Sequence, residues 1–374
     1  MRILLLGEAS FVHYTLRNGF KKLGHDVILM SGGNNERNCP RDIDLKRNMK
    51  YGKLSGIMTL WKLLLNVRRL VGNDIVQIHN YQFIPLRGRW NEIIMRLLKL
   101  TNKKVVKCCL GDDFIIFNRQ AAGVLKYCDT NIGNRIINEK ENAWRIEEQM
   151  LPNLMHCCKY TNKQADALLP CLYEYYLCYD LPEYHDKLYY MPLPMEISSF
   201  AGKENMKKQM KKPVKVLIGI QSKRDYMKGA EIIAKYVERI AAENPGSLEV
   251  KKVYDVPYND YLKMLDEADV LVDQLYSYTP SMNSLAAMAH GTVVIGGGEE
   301  EYYDFISEKE LRPIINVRPE EDEYNMKMLR ETLLYPEKIE DMKRQGIEFV
   351  RKYHDHVRVA EEYIKLYEQL LKNK

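Results

Sequence analysis

Residues 269–301 read DVLVDQLYSYTPSMNSLAAMAHGTVVIGGGEEE. Val270 to Val272 and Thr292 to Ile295 are short apolar runs of the kind that lie inside a parallel sheet, covered on both faces. Between them SMNSLAAMAHG predicts a helix over 282–290, with Ser281 as its N-cap and Gly291 just past its end. A strand-helix-strand unit with a glycine-rich exit presents a helix N-terminus and bare backbone N–H groups in the loops after its strands, the usual scaffold for a phosphate-bearing ligand. Any α/β crossover shares the strand-helix-strand part. The stretch therefore speaks first for the fold and only second for a ligand.

The same alternation runs outward in both directions. RILLLG, DVILMS, DIVQIHN, KVVKCCLG and ADALLP predict strands separated by helices over 13–24, 53–70 and 90–101. After the lysine-rich connector GKENMKKQMKKP (202–213), VKVLIGI begins a second series, with helices over 229–243 and 257–266 and strands at LEVKKVYD, ADVLVDQ, TVVIGG and PIINV. Regular βα units imply parallel sheets with helices on both faces. The expected fold class is α/β, with two tandem doubly wound (Rossmann-like) lobes over 1–200 and 201–355. The amphipathic helix 356–374 packs back on the first lobe, and an inter-lobe cleft forms at the carboxyl ends of the strands.

The chain of 374 residues is long enough for two cores. Its 46% hydrophobic and 29% charged residues are ordinary for a globular protein and exclude a disordered one. The N-terminus meets Glu8 too early for a signal peptide, and no apolar run is long enough to span a bilayer, so the expected location is the cytoplasm. Eight cysteines, none in a C-x-x-C pair, and eight scattered histidines suggest neither a disulfide framework nor a metal site. No metal and no cofactor are expected.

The net charge of +5 is unevenly placed, with +10 in residues 1–100 and −5 in the remainder. Within the basic part, KLSGIMTLWKLLLNVRRL (53–70) is a strongly apolar helix. Such a helix either packs its apolar side on a sheet, the commoner arrangement, or lies on an anionic bilayer, where the inner membrane face becomes the working location. No basic-aromatic motif for nucleic acid is present.

In GIQSKRDYMKGAEII (219–233) a strand ends, a polar loop supplies Lys223, Arg224 and Lys228, and Gly229 opens a helix. Cations after a strand and beside a helix N-terminus suit a pyrophosphate, and a solvated lysine loop is the plain alternative.

SKRDYMKG resembles the Arg-x4-Lys-Gly donor-phosphate loop of family-4 (group 1) glycosyltransferases of the GT-B fold. LAAMAHGTVVIGGGEEE resembles their EAMA-x-G-x-PVV-x-GG-x-x-E segment. GHDVILMS, DIVQIHN, GDD (111–113) and YMPLPMEISSF stand in the family's order over nearly the whole chain.

The resemblance implies a glycosyltransferase that moves a sugar from a nucleotide-diphosphate sugar, its co-substrate, to a saccharide or lipid-linked saccharide in surface polysaccharide synthesis, with retention and without metal. Lys223 or Arg224 with Lys228 would grip the diphosphate, together with Thr279, Ser281, Asn283 and the helix they introduce. Tyr278 would stack on base or sugar, and Gly296, Gly297 and Gly298 would bring backbone N–H groups to the ligand through angles closed to other residues. Gly7, Glu8, His79 and Asp112 would line the acceptor side.

The family's Glu-x7-Glu pair falls at Tyr278 and Ala286, and its histidine before the Gly-x-Asp turn falls at Leu110. Glu299, Asp273 and Asp113 are then the candidate catalytic carboxylates, with Glu299 expected to replace the missing pair. Two alternatives stay open: a catalytically silent protein that binds a nucleotide sugar or a partner enzyme, and a nucleotide-sugar 2-epimerase of the same fold.

Overall fold

The computed structural model describes residues 1–33, 39–52, 54–197 and 212–373. All but the end of the expected connector 202–213 lies outside them. The described strands, in chain order, are β1 (Arg2–Leu6), β2 (Asp26–Ser31), β3 (Ile43–Asp44), β4 (Ile75–Ile78), β5 (Lys104–Cys109), β6 (Asn131–Ile132), β7 (Arg135–Ile136), β8 (Ala167–Pro170), β9 (Val214–Ile220), β10 (Leu248–Tyr254), β11 (Val270–Val272), β12 (Val293–Gly296) and β13 (Ile314–Asn316). They form a parallel sheet in the order β3-β2-β1-β4-β5-β8, a second parallel sheet in the order β10-β9-β11-β12-β13, and the small β6-β7 hairpin.

The chain divides into two compact units. The first comprises Met1–Arg119, Ala143–Pro194 and His356–Lys374; the second comprises Gln120–Asn142 and Met195–Asp355. A boundary at residue 200 assigns 120–142 to the first lobe, but in the structure this hairpin segment groups with the second.

In the first unit the order reverses between β1 and β4, and in the second between β9 and β11. Loops at such reversals part to opposite faces of the sheet and leave a crevice at the carboxyl ends of the strands, where open α/β sheets bind ligands. The core of the first unit forms because β1, β2, β4 and β5 are nearly continuous apolar runs buried on both faces. Helix His356–Lys372 packs on helix Val12–Lys22, where a Cβ at Gly19 would stand 2.3 Å from the His356 carbonyl oxygen. Phe20 meets the rings of Tyr363 and Tyr367 at 6.1 and 5.9 Å there. In the second unit Ile233, Val237 and Ile240 of helix Ala230–Glu243 close over Val214, Val216 and Ile218 of β9.

Helix Leu54–Leu65 departs from the packed arrangement expected for most crossover helices. Its buried residues are Ser55, Thr59 and Leu63, while most of its large apolar side chains face outward. All eight cysteines are buried, and none is in a disulfide.

Candidate functional site

The reversal point of the second sheet carries a built polar cluster. β9 ends at Ile220, and the following loop passes through the short helix Asp225–Lys228 to Gly229, whose φ of 67° and tight approach to Leu275 and Tyr276 leave no room for a Cβ. Lys228 is thereby aimed at the end of the neighbouring β11, where its Nζ lies 3.5 Å from Asp273 Oδ1. Asp273 is buried and accepts from Ser281 Oγ at 2.6 Å, from Asn283 Nδ2 at 3.2 Å and from the Ser284 hydroxyl. Ser281 caps helix Met282–Ala289 as the sequence predicts, with its Oγ accepting from the N–H groups of Asn283 and Ser284. Burial pushes the Asp273 carboxyl up, but the Lys228 ammonium, the two hydroxyls and the amide more than offset it and hold it below the usual carboxylate range.

Asp273, expected as a catalytic group, is thus an anion that orients Lys228 and the first turn of the helix. Lys223 and Arg224 lie exposed on the same loop. Thr279 is buried just before the cap.

The glycine-glutamate loop after β12 is organised differently from expectation. None of Gly296, Gly297 and Gly298 has a positive φ. They are glycines because the chain passes close by: a Cβ at Gly297 would stand 2.0 Å from the Ser277 carbonyl oxygen, and one at Gly298 would stand 2.9 Å from Ile314 Cβ. The Gly298 N–H donates to Asn316 Oδ1 at 3.0 Å, so it is turned inward.

Glu299, only 2% exposed, is held by four side-chain donors of its own unit. Tyr127 OH and Asn316 Nδ2 donate to Oε1 at 2.7 and 2.8 Å, and the Arg318 guanidinium is bidentate, with Nε 3.0 Å from Oε1 and a terminal nitrogen 2.9 Å from Oε2. A carboxylate so engaged would have to break charge-assisted bonds to reach a sugar hydroxyl. Tyr278, at the position of the family's first glutamate, stacks on Tyr127 with centroids 4.7 Å apart, and its hydroxyl accepts from the Lys126 N–H at 2.9 Å. It is buried against protein rather than presented to a base. Ala286, at the second position, lies on helix Met282–Ala289. Glu300 pairs with Arg312 and Glu301 with Lys126, both on the surface.

In the first unit, Gly7, Glu8 and His79 meet at the reversal between β1 and β4. Gly7 has φ 78°, and a Cβ there would stand 1.9 Å from His79 Nδ1, which is buried without a hydrogen-bond partner. Burial holds the His79 imidazole well below its ordinary range, at about 4. Glu8 is buried and accepts from the N–H groups of His13 and Tyr14 at 3.3 and 2.8 Å, capping helix Val12–Lys22. Burial pushes its carboxyl up to about 7, with these N–H donors partly offsetting it.

Below pH 4.5, the ordinary value for this carboxyl, Glu8 is protonated in both the folded and unfolded chain; between there and about 7 only the unfolded chain gives up its proton. Stability is therefore expected to fall as pH rises through that window. Urea midpoints measured against pH should show this slope, and Glu8→Gln should flatten it.

Asp112 and Asp113, expected at the acceptor side and in catalysis, belong to other clusters of the first unit. Asp112 pairs with a guanidinium nitrogen of Arg145 at 2.8 Å. Asp113 is fully buried, with its Oδ2 3.2 Å from Lys107 Nζ and bonded by Tyr179 OH, while Oδ1 accepts from the Ile116 N–H at 3.0 Å. Its side chain has no exposed surface. Lys126, Tyr127, Asn316, Arg318, Lys107 and Tyr179 are the partners that sequence reasoning missed. Strand register was the available clue for two of them: Gly296 pairs with Asn316, which places Arg318 beside the loop that follows β12. Among the described residues, no group of three or more His, Cys, Asp or Glu side chains could hold a metal ion.

Two doubly wound units, each with charged side chains at its strand-order reversal, define a tandem, doubly wound α/β architecture. A scan of protein-family models finds no match, and a search of curated proteins likewise finds none. Solved structures place the fold more narrowly. The chain is similar over its full length to sucrose-phosphate synthase from Thermosynechococcus elongatus, at 15% identity, TM-score 0.63 and full coverage of both chains. It is also similar to HepE from Anabaena in complex with UDP and glucose, at 10% identity and TM-score 0.60, covering 99% of this chain and all of that one. WaaG, a glycosyltransferase involved in lipopolysaccharide biosynthesis, matches at 12% identity and TM-score 0.56, covering 98% and 99%. The chain has the GT-B fold of these glycosyltransferases.

Proposed function

We propose that this chain is a glycosyltransferase that moves a sugar from a nucleotide-diphosphate sugar to a saccharide or lipid-linked saccharide in surface polysaccharide synthesis, in the cytoplasm at the inner face of the membrane. The observation that carries the reading is Lys228, oriented by Asp273 at the strand-order reversal of the second sheet and next to a capped helix N-terminus, in a fold whose solved examples include a complex with UDP and glucose. An ammonium and helix dipole so placed stabilise the charge that develops on a leaving diphosphate, with Lys223 and Arg224 adding to the field. This electrostatic route calls for no metal, and the family resemblance favours retention. Turnover unaffected by a chelator and NMR of the product's anomeric proton check these two points. Glu8, whose carboxyl titrates near neutrality at the reversal of the first sheet, is suited to accept a proton from an acceptor hydroxyl.

Lys228→Ala is expected to weaken nucleoside-diphosphate binding by about ten- to a hundredfold, the equivalent of one charge-assisted contact. It should also cost some stability, because Asp273 is 3% exposed and loses its counter-ion. Calorimetric titration with UDP and the other nucleoside diphosphates reads the first effect, and an unchanged affinity would remove Lys228 from the site.

The silent-binder reading is favoured by one observation. Both positions of the family's glutamate pair are non-acidic, and the nearest carboxylates, Asp273 and Glu299, are fully engaged. Binding of a nucleotide sugar with no transfer or hydrolysis by the wild type would decide for it.

A further inference from the structure

We propose that helix Leu54–Leu65 docks this protein on the surface of an anionic lipid bilayer, with its apolar face toward the acyl chains. Leu54, Ile57, Met58, Trp61, Leu64 and Leu65 are each between 47% and 68% exposed. Their spacing of three or four residues places them on one stripe of the helix. The opposite stripe, turned to the protein body, carries two hydroxyls and one leucine: Ser55 and Thr59 are each 1% exposed and Leu63 3%. This inverts the arrangement of a helix that packs on a sheet, where the apolar stripe faces the core.

Specific bonds hold the inverted orientation. Arg47 donates from Nε and a terminal nitrogen to Ser55 Oγ at 3.1 and 2.9 Å, and Ser55 donates to the Gly52 carbonyl at 2.7 Å. Lys62 Nζ reaches back to the carbonyl oxygens of Asp44 and Lys46 at 3.0 and 3.4 Å. Rolling the helix to bury its apolar stripe would break all of these and leave the Ser55 hydroxyl to be re-satisfied.

Charge selects the occupant. From Leu45 to Gly72 the chain carries seven Lys or Arg and no Asp or Glu. Exposed Lys46 and Lys50 precede the helix, and exposed Arg68 and Arg69 follow it. A contiguous apolar stripe with Trp at its middle, flanked at both ends by cations, matches the interfacial region of an anionic bilayer. A second copy of the chain would bring the same cations face to face across the contact. Among the described residues no helix is long and apolar enough to cross a membrane, so the contact is one of lying on the surface. This inference rests on the surface of the first unit and stands independently of the proposed chemistry.

Sedimentation of the full-length protein with vesicles of phosphatidylcholine, with or without about one-third phosphatidylglycerol, tests it. The wild type should bind the anionic vesicles and be released as salt is raised to about 0.5 M. Trp61→Ser with Leu64→Ser should lower the partition coefficient at least about tenfold with an unchanged circular dichroism spectrum, since both side chains are exposed. Arg68→Gln with Arg69→Gln should remove about fivefold per cation, on anionic vesicles only. Equal binding to neutral and anionic vesicles, or full binding by the serine variant, would overturn the proposal. So would a wild type that ignores vesicles but dimerises through this face, shown by sedimentation velocity as a dimer that the serine variant converts to monomer.

Discussion

Asp113→Asn is expected to destabilise the protein by about 3–5 kcal/mol, because it strands a charge in the interior of the first unit. Lys107 and Asp113 both have fully buried side chains, and the ammonium's other partners, Asn162 Oδ1 and Tyr179 OH, each at 2.7 Å, are neutral. Burial pushes the Lys107 ammonium down, yet the Asp113 charge outweighs it and the group sits above its ordinary range. Its contribution in the wild type is therefore present throughout the neutral range and is lost only above the ordinary lysine range. Without the carboxylate, burial alone acts, and the folded form favours neutral lysine while the unfolded chain still binds a proton. The stability of Asp113→Asn should then rise as pH climbs from neutral toward 10, a window in which the Lys107 contribution of the wild type is flat. Lys107→Met with Asp113→Asn should recover most of the loss, since replacing both members of a buried pair is often close to neutral. Urea titration at several pH values reads all three outcomes. Asparagine still accepts from the Ile116 N–H, so a lost helix cap does not confound them.

The parallel strands were legible because their residues have a single use. A run such as ILLL or VLV is apolar on both faces, and only a covered parallel strand buries it in so short a length. Ser281 was equally readable, since a hydroxyl ahead of an apolar helical run serves as an N-cap. The charged residues had several possible uses, and their positions alone did not choose among them. Asp113 and Glu299 each follow a strand, where a ligand would be met, but Lys107, from the very strand β5 that Asp113 follows, and Arg318, just past the neighbouring β13, claim them first. Lys107 was hidden within KVVKCC, where alternation permits an inward-pointing lysine only if a partner waits inside. For helix Leu54–Leu65 the sequence left both orientations open for a related reason. Apolar content fits a buried face and a bilayer-facing one alike, and the side that packs is settled by Arg47 on Ser55 and Lys62 on the loop carbonyls, contacts made outside the helix.

Arg318→Ala should cost about 3–5 kcal/mol, because it removes both charged donors from a carboxylate that is 2% exposed and leaves only Tyr127 and Asn316 to satisfy it. Glu299→Gln is milder: the amide keeps the shape, Asn316 and Tyr127 can reorient, and Arg318, 28% exposed, reaches water. A loss of about 1.5–3 kcal/mol is expected, the worth of hydrogen bonds to a charged group. Glu301→Gln, which loses only a surface pair with Lys126, should stay within about 1 kcal/mol of wild type. The sequence pattern had assigned Glu299 to the donor sugar, for which turnover is lost and stability kept. The structure reverses that expectation: stability falls, and turnover per folded molecule, measured well below the unfolding transition, changes little with saturating nucleotide sugar. The loop's close passage reinforces this, since a Cβ at Gly297 would stand 2.0 Å from the Ser277 carbonyl oxygen and the backbone two residues before Glu299 is hemmed in. A hundredfold drop in turnover with an unmoved urea midpoint would show that the carboxylate works on substrate and that Arg318 releases it when the donor binds.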